Sequence, residues 1–234
     1  LPGRAVALWP LPLVAGGLPA VAALVAIAAA LAEGRPPCNP FIDDCGSISR
    51  MARHGLANPL FRMLVLPAGT LQVVMWLVAA YTLREAGLAR RQAGLLGALG
   101  VCAGLALVVY GTFLGTEGEI YRWLRRWGTL IYFGGTYLTM LLFARAVGRP
   151  GAAVGLAQPR WQHTATLALL GFVAVISLLH AFASLLGFER LEDRIENATE
   201  WWGALALSLN YGLISLTWWR WGVRAELRHA SRGP

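Results

Sequence analysis

The chain has 234 residues, 57% of them hydrophobic and 14% charged, with a formal charge of +8 at pH 7. Its apolar residues come in runs of roughly twenty rather than at amphipathic spacing, which excludes a soluble domain and indicates a polytopic membrane protein. All twenty basic residues are Arg and they sit at the ends of the apolar runs, so the surplus reflects membrane topology and no nucleic-acid partner is expected.

The first apolar run, 9–32, is longer than the h-region of a signal peptide and is read as a first spanning helix, with Pro19 as a kink that its neighbours must accommodate. The polar segment 38–62 (CNPFIDDCGSISRMARHGLANPLFR) follows and holds most of the residue types that could do chemistry. Asn58 offers an N-cap and Pro59 suits a first helical turn, so the second helix is placed at 59–83. After a short connection the third runs over 92–114, where Gly100 and Gly104 form a small-xxx-small pair that lets another backbone approach. A charged, aromatic exit leads to the fourth, 125–146, with Gly134 and Gly135 repeating the small-residue theme. The fifth is placed at 163–188, and an acidic and basic loop then leads to the sixth, 201–221. The expected fold is therefore all-α: one membrane domain over 1–234, with six transmembrane helices and a polar outer cap.

Six spans put both termini on one side. That side carries eleven Arg and two acids, the other nine Arg and ten acids. The termini are accordingly placed in the cytoplasm and segment 38–62 outside. The Ala-, Gly- and Leu-rich composition without Lys points to a bacterial inner membrane. Mixed charges in the outer loops predict an ion-paired cap. Trp123, Trp127, Trp161, Trp201, Trp202, Trp218, Trp219 and Trp221 fall near span ends, as an aromatic belt requires.

Cys38 and Cys45 lie in the outer loop, where a disulfide closing so short a loop would contribute roughly 2–3 kcal/mol. The alternative, a metal site, lacks paired Cys-x-x-Cys or Cys-plus-His spacing, so neither metal nor cofactor is expected. Cys102, inside the third helix, is read as a small packing residue. Asp44, Ser47 and His54 include the types needed for acid/base or nucleophilic work, but no G-x-S-x-G or H-E-x-x-H pattern accompanies them. A structural turn capped by Asp and Ser side chains is the competing reading. Asp43, Asp44, Arg62, Glu117, Glu119, Arg125, Arg126 and Glu200 cluster near the outer boundary. There they either line a headgroup-sized pocket beneath the cap or pair and snorkel. His180 is read as a satisfied packing residue, and Asn210 and Tyr211 as interhelical hydrogen-bonders.

Pro40 to Ser47 (PFIDDCGS) resembles the first-loop motif of the damage-regulated autophagy modulator family, which reads roughly P-Y-I-S-D-T-G-T. Arg125-x-x-Gly128-Thr129, followed by Phe133 and Tyr137, is similar to that family's fourth-helix pattern H-x-x-G-A, and Glu200-Trp201 matches its E-W pair. The wider superfamily includes the lipid-remodelling factor that acts on glycosylphosphatidylinositol anchors. The resemblance implies six helices, an outward polar cap and involvement with lipids or membrane partners. Arg125 stands where the family has His, and SISRMARHGLANP replaces its proline-rich stretch, so a His-dependent activity is not carried over.

The expected function is that of a non-catalytic lipid-binding protein or an accessory subunit, with membrane lipids and other membrane-protein subunits as partners. The alternative is an outer-leaflet enzyme that remodels acyl chains or headgroups. A transporter would call for midplane acids and paired broken helices that the spans lack.

Overall fold

The computed structural model describes residues 5–43, 45–148, 157–185 and 189–226, and within them all side chains except those at 184, 189–194 and 196. Elements follow in the order β1 (Ala5–Ala7), α1 (Pro10–Ala32), α2 (Ile48–Met51), α3 (Ala57–Glu85), α4 (Arg90–Phe113), α5 (Glu119–Val147), α6 (Arg160–Leu185), α7 (Glu189–Trp221) and β2 (Arg224–Glu226). Among the described residues five of these, α1, α3, α4, α5 and α6, are long and apolar enough to cross a membrane. Their outward faces carry Leu24, Leu77, Leu105, Leu130 and Leu178, all exposed. Such a band of apolar surface is stable in hydrocarbon and costly in water. The chain is an all-α integral membrane protein.

α7 is 33 residues long and less apolar, for a reason visible in its contacts. Asn210, Ser215 and Thr217 are buried. Asn210 donates to the Thr166 carbonyl and Ser215 to the Trp9 carbonyl. Polar groups that bond inside the bundle lower a helix's hydropathy without exposing it to lipid.

The helices pack in the order α5–α4–α3–α1–α7–α6, so that α1 lies between α3 and α7, while α6 meets α5 over only a small part of its length. α3 and α4 approach most closely at small residues, where a Cβ on Gly104 would lie 2.8 Å from the Gly69 carbonyl oxygen. One core, around Phe61, Leu107, Tyr110 and Trp201, fills the cap end. A second, around Trp76, Phe143, Tyr211 and Trp218, fills the opposite end. β1 and β2 pair antiparallel with Ala5 opposite Glu226, which puts the start of α1 and the end of α7 at the same end of the bundle.

Several boundaries differ from expectation. α5 begins at Glu119 and α7 at Glu189, well before the apolar stretches that mark 125–146 and 201–221. A helix satisfies its own backbone, so good helix formers such as Glu, Arg, Leu and Ala extend it past the membrane. Asn58 does not cap α3, whose N-cap is Leu56. Instead its side-chain amide donates to the carbonyls of Ala52 and Leu114, tying the cap to the end of α4. Cys102 faces outward from α4 and therefore meets lipid, not another helix. Trp201 and Trp218 are buried in the cores, not in a belt, while Trp123, Trp127, Trp161, Trp202 and Trp219 are exposed.

Candidate functional site: a cavity beneath the cap

The cap begins with the Cys38–Cys45 disulfide, which closes a turn in which Asp43 accepts from the Asn39 amide at 2.9 Å and Asn39 accepts from the Phe41 amide at 3.0 Å. Ser47 then caps α2, its hydroxyl accepting from the Arg50 amide at 3.2 Å and lying 2.9 Å from the Ser49 hydroxyl. α7 holds this segment from the side. Glu200 Oε2 accepts from the Ile48 amide at 3.1 Å, Trp201 donates its indole N–H to the Gly46 carbonyl, and Trp202 donates to the Phe41 carbonyl. The Phe41 ring stands edge-on to both indoles. From α1, Glu33 accepts from the Leu56 amide at 2.6 Å. At the α4–α5 turn Gly115 has φ of +85°, and a Cβ there would come within 2.7 Å of the Arg53 carbonyl, so only glycine fits.

Beneath this cap, where α5 and α6 diverge, lies a cavity of about 1080 Å³. Its α5 wall repeats at helical spacing: Arg122, Arg125 and Arg126 at the cap end, then Thr129 and Phe133, then Tyr137. Positions 122 and 137 are 15 residues apart, about 22 Å of helix. α7 supplies Thr199, Glu200, Gly203 and Leu207, and α6 runs from His180 at the polar end to Val173. Ser47, Ser49 and Arg53 close the cap end. The wall is thus charged at one end and apolar at the other. Leu130 of α5 and Leu178 of α6 both line the cavity and are 60% and 69% exposed, so the cavity opens sideways, into the bilayer.

Arg125 is fixed by a second task. Its guanidinium donates to the Phe113 carbonyl at 3.0 Å and to the Thr116 carbonyl, capping the C-terminal end of α4. Gly203 is buried and Gly134 lines the opposite wall, yet a Cβ at either would meet no atom within 4 Å, because both face the cavity. Gly134 is therefore part of a wall, whereas Gly135 packs against Ala103. A smaller cavity of about 40 Å³ shares Tyr110, Thr129, Phe133 and Glu200 with the large one.

Of the residues singled out from sequence, Ser47, Arg125, Arg126 and Glu200 come together on the wall. Asp43, Glu117, Glu119 and His54 are exposed and Arg62 is half-buried, and none of these five lines the cavity. Asp44 lies outside the described residues, as do the side chains of Glu189, Glu192, Asp193 and Glu196, so half the acids of the expected ion-paired cap are not described. His180 is not a satisfied packing residue: its Nδ1 is buried and makes no hydrogen bond among the described residues. Tyr211 packs its ring beside Trp76. Sequence reading missed Arg53 and Arg122. Their spacing from Arg50 and from Arg125 and Arg126 was a signal, but only the fold shows that they share a wall. Among the described residues no three His, Cys, Asp or Glu side chains are grouped to hold a metal ion.

No protein-family model, no curated protein and no solved structure matches this chain.

Proposed function

We propose that this is a six-span membrane protein that takes a membrane amphiphile into the cavity between α5 and α6. The observation that carries this reading is the axial gradient of the wall, charged beneath the cap and apolar toward the bundle centre, in a cavity that opens to the bilayer. A lipid has the same gradient, and its chains leave the bilayer for the cavity without crossing water. α7 serves as the sixth span. Pairing of β1 with β2 supports this, because it requires an even number of crossings between them. The Arg excess on the side of the termini supports a cytoplasmic location for them with the cap outside, and the Lys-free composition supports a bacterial inner membrane.

The autophagy-modulator resemblance supports the same site, since Ser47, Arg125, Phe133, Tyr137 and Glu200 of its motifs all line the cavity. A second reading, transfer of an acyl chain or headgroup, is favoured by one observation: Ser47, Ser49 and His180 share the wall. Ser47 is already engaged as a helix cap, which favours binding over nucleophilic attack.

The test is purification of the full chain in mild detergent, with quantification of copurifying lipid. The expected result is a stoichiometric lipid that Gly203→Phe and Gly134→Phe both displace while the unfolding temperature is held. Wild-type protein free of lipid, or both variants retaining it, would overturn the reading.

A further inference from the structure

We infer that the ligand's polar end is a phosphate ester, held beneath the cap by Arg53, Arg122, Arg125 and Arg126. This inference rests on the proposed cavity and names the chemistry of its occupant.

Four guanidiniums line one end of the cavity, and Glu200 is the one carboxylate among its described lining residues. Glu200 also accepts a backbone N–H from the cap, so its charge is partly committed there. Arg122 closes the first turn of α5, where the helix macrodipole already presents positive charge and acids are the favoured residues, and Arg125 and Arg126 follow one turn on. Like charges placed against a positive helix end repel one another unless an anion sits among them. Arg53 adds a direct sign of a missing partner: its Nε is buried and makes no hydrogen bond among the described residues.

The number and type of donors select among anions. A phosphate ester offers several tetrahedrally disposed oxygens and bridges guanidiniums arriving from different elements, here the cap and α5. A carboxylate has two oxygens in one plane and is met by one or two forks. An uncharged sugar or diol would leave the guanidinium charges uncompensated. Arg125, already anchored to the end of α4, holds its charge in place without the entropy of a free side chain, while Arg122 and Arg126 are exposed and close from the rim. The apolar wall below, from Phe133 to Tyr137 and Val173, accepts acyl chains. The seam between α5 and α6 is the entrance.

A phosphate ester reaches this site either as a lipid headgroup or as a soluble molecule, and titration separates the two. The full-length protein in detergent is titrated with phosphatidic acid, phosphatidylglycerol, diacylglycerol of the same chains, and glycerol 3-phosphate. The expected result is that both phospholipids bind at least roughly tenfold tighter than diacylglycerol. The Arg122→Gln/Arg126→Gln double variant and Arg53→Gln should each remove that preference and leave diacylglycerol affinity unchanged. Arg53→Lys, which keeps charge but not the planar fork, should retain part of it. Equal binding of diacylglycerol and phospholipid by wild type, or a preference that survives all three Gln changes, overturns the phosphate assignment and leaves the cavity reading standing. No binding of any amphiphile overturns both. Glycerol 3-phosphate binding as tightly as the phospholipids overturns the lipid source and identifies a soluble ester.

Discussion

Gln72 of α3 donates its side-chain amide to the Ala15 carbonyl of α1 at 3.0 Å, the carbonyl that Pro19, lacking an N–H, leaves without its helical partner. A broken rung in one helix is thus completed by its neighbour. Gln72→Leu should cost about 1–3 kcal/mol by orphaning a buried acceptor. In a Pro19→Ala background the residue-19 amide is restored, and the same change should cost far less. Thermal unfolding of the four proteins forms the cycle; equal penalties in both backgrounds would refute the pairing.

Trp201 is 3% exposed and bonds Gly46. Trp201→Phe keeps an aromatic ring beside Phe41 but strands the Gly46 carbonyl, and should cost about 1–3 kcal/mol. Trp201→Ala also opens a cavity and should cost about 3–5 kcal/mol. Unfolding curves in detergent rank the two, and an alanine variant no weaker than the phenylalanine one would mean that packing contributes little.

Gly104 and Gly134 should differ in tolerance, because the first meets backbone and the second open space. Gly104→Ala forces a Cβ to within 2.8 Å of the Gly69 carbonyl, pushing α3 from α4 at a cost of about 1–3 kcal/mol. Gly134→Ala meets open space and should leave the unfolding temperature unchanged. The comparison fails if the two substitutions are equivalent.

The Cys38–Cys45 bond closes a loop with a separation of seven. Cys38→Ser/Cys45→Ser should lower stability by about 2–3 kcal/mol. Reductant should shift the wild-type unfolding transition to that of the variant and leave the variant unmoved.

Much of the fold was legible because burial in lipid demands long apolar runs, and these locate α1, α3, α4, α5 and α6 to within a few residues of their cores. The close approach at Gly104 followed from the same logic. Polar helical extensions were not legible, since a helix outside the membrane needs no apolar signature, and Glu189 to Glu200 therefore read as a loop. The site divided along the same line. Arg125, Arg126 and Glu200 stood out as charges at a span end, but Glu117 and Glu119 carried the same signal and are exposed without lining the cavity. Which side of a helix faces a void is decided by the neighbouring helices. Here that is the divergence of α6 from α5, a relation between segments that no local pattern encodes.

The bond from Ser215 to the Trp9 carbonyl joins positions 206 residues apart, and α1 is packed between α3 and the helix that carries Ser215. At roughly 5–20 residues per second, a ribosome needs on the order of 10–40 s to make the second half of α1's binding groove after α1 itself has emerged. Throughout that interval the α7-facing side of α1, where Gly16 meets Tyr211 in the finished bundle, is left against lipid, a close-docking surface that any other helix could occupy until α7 arrives to cover it.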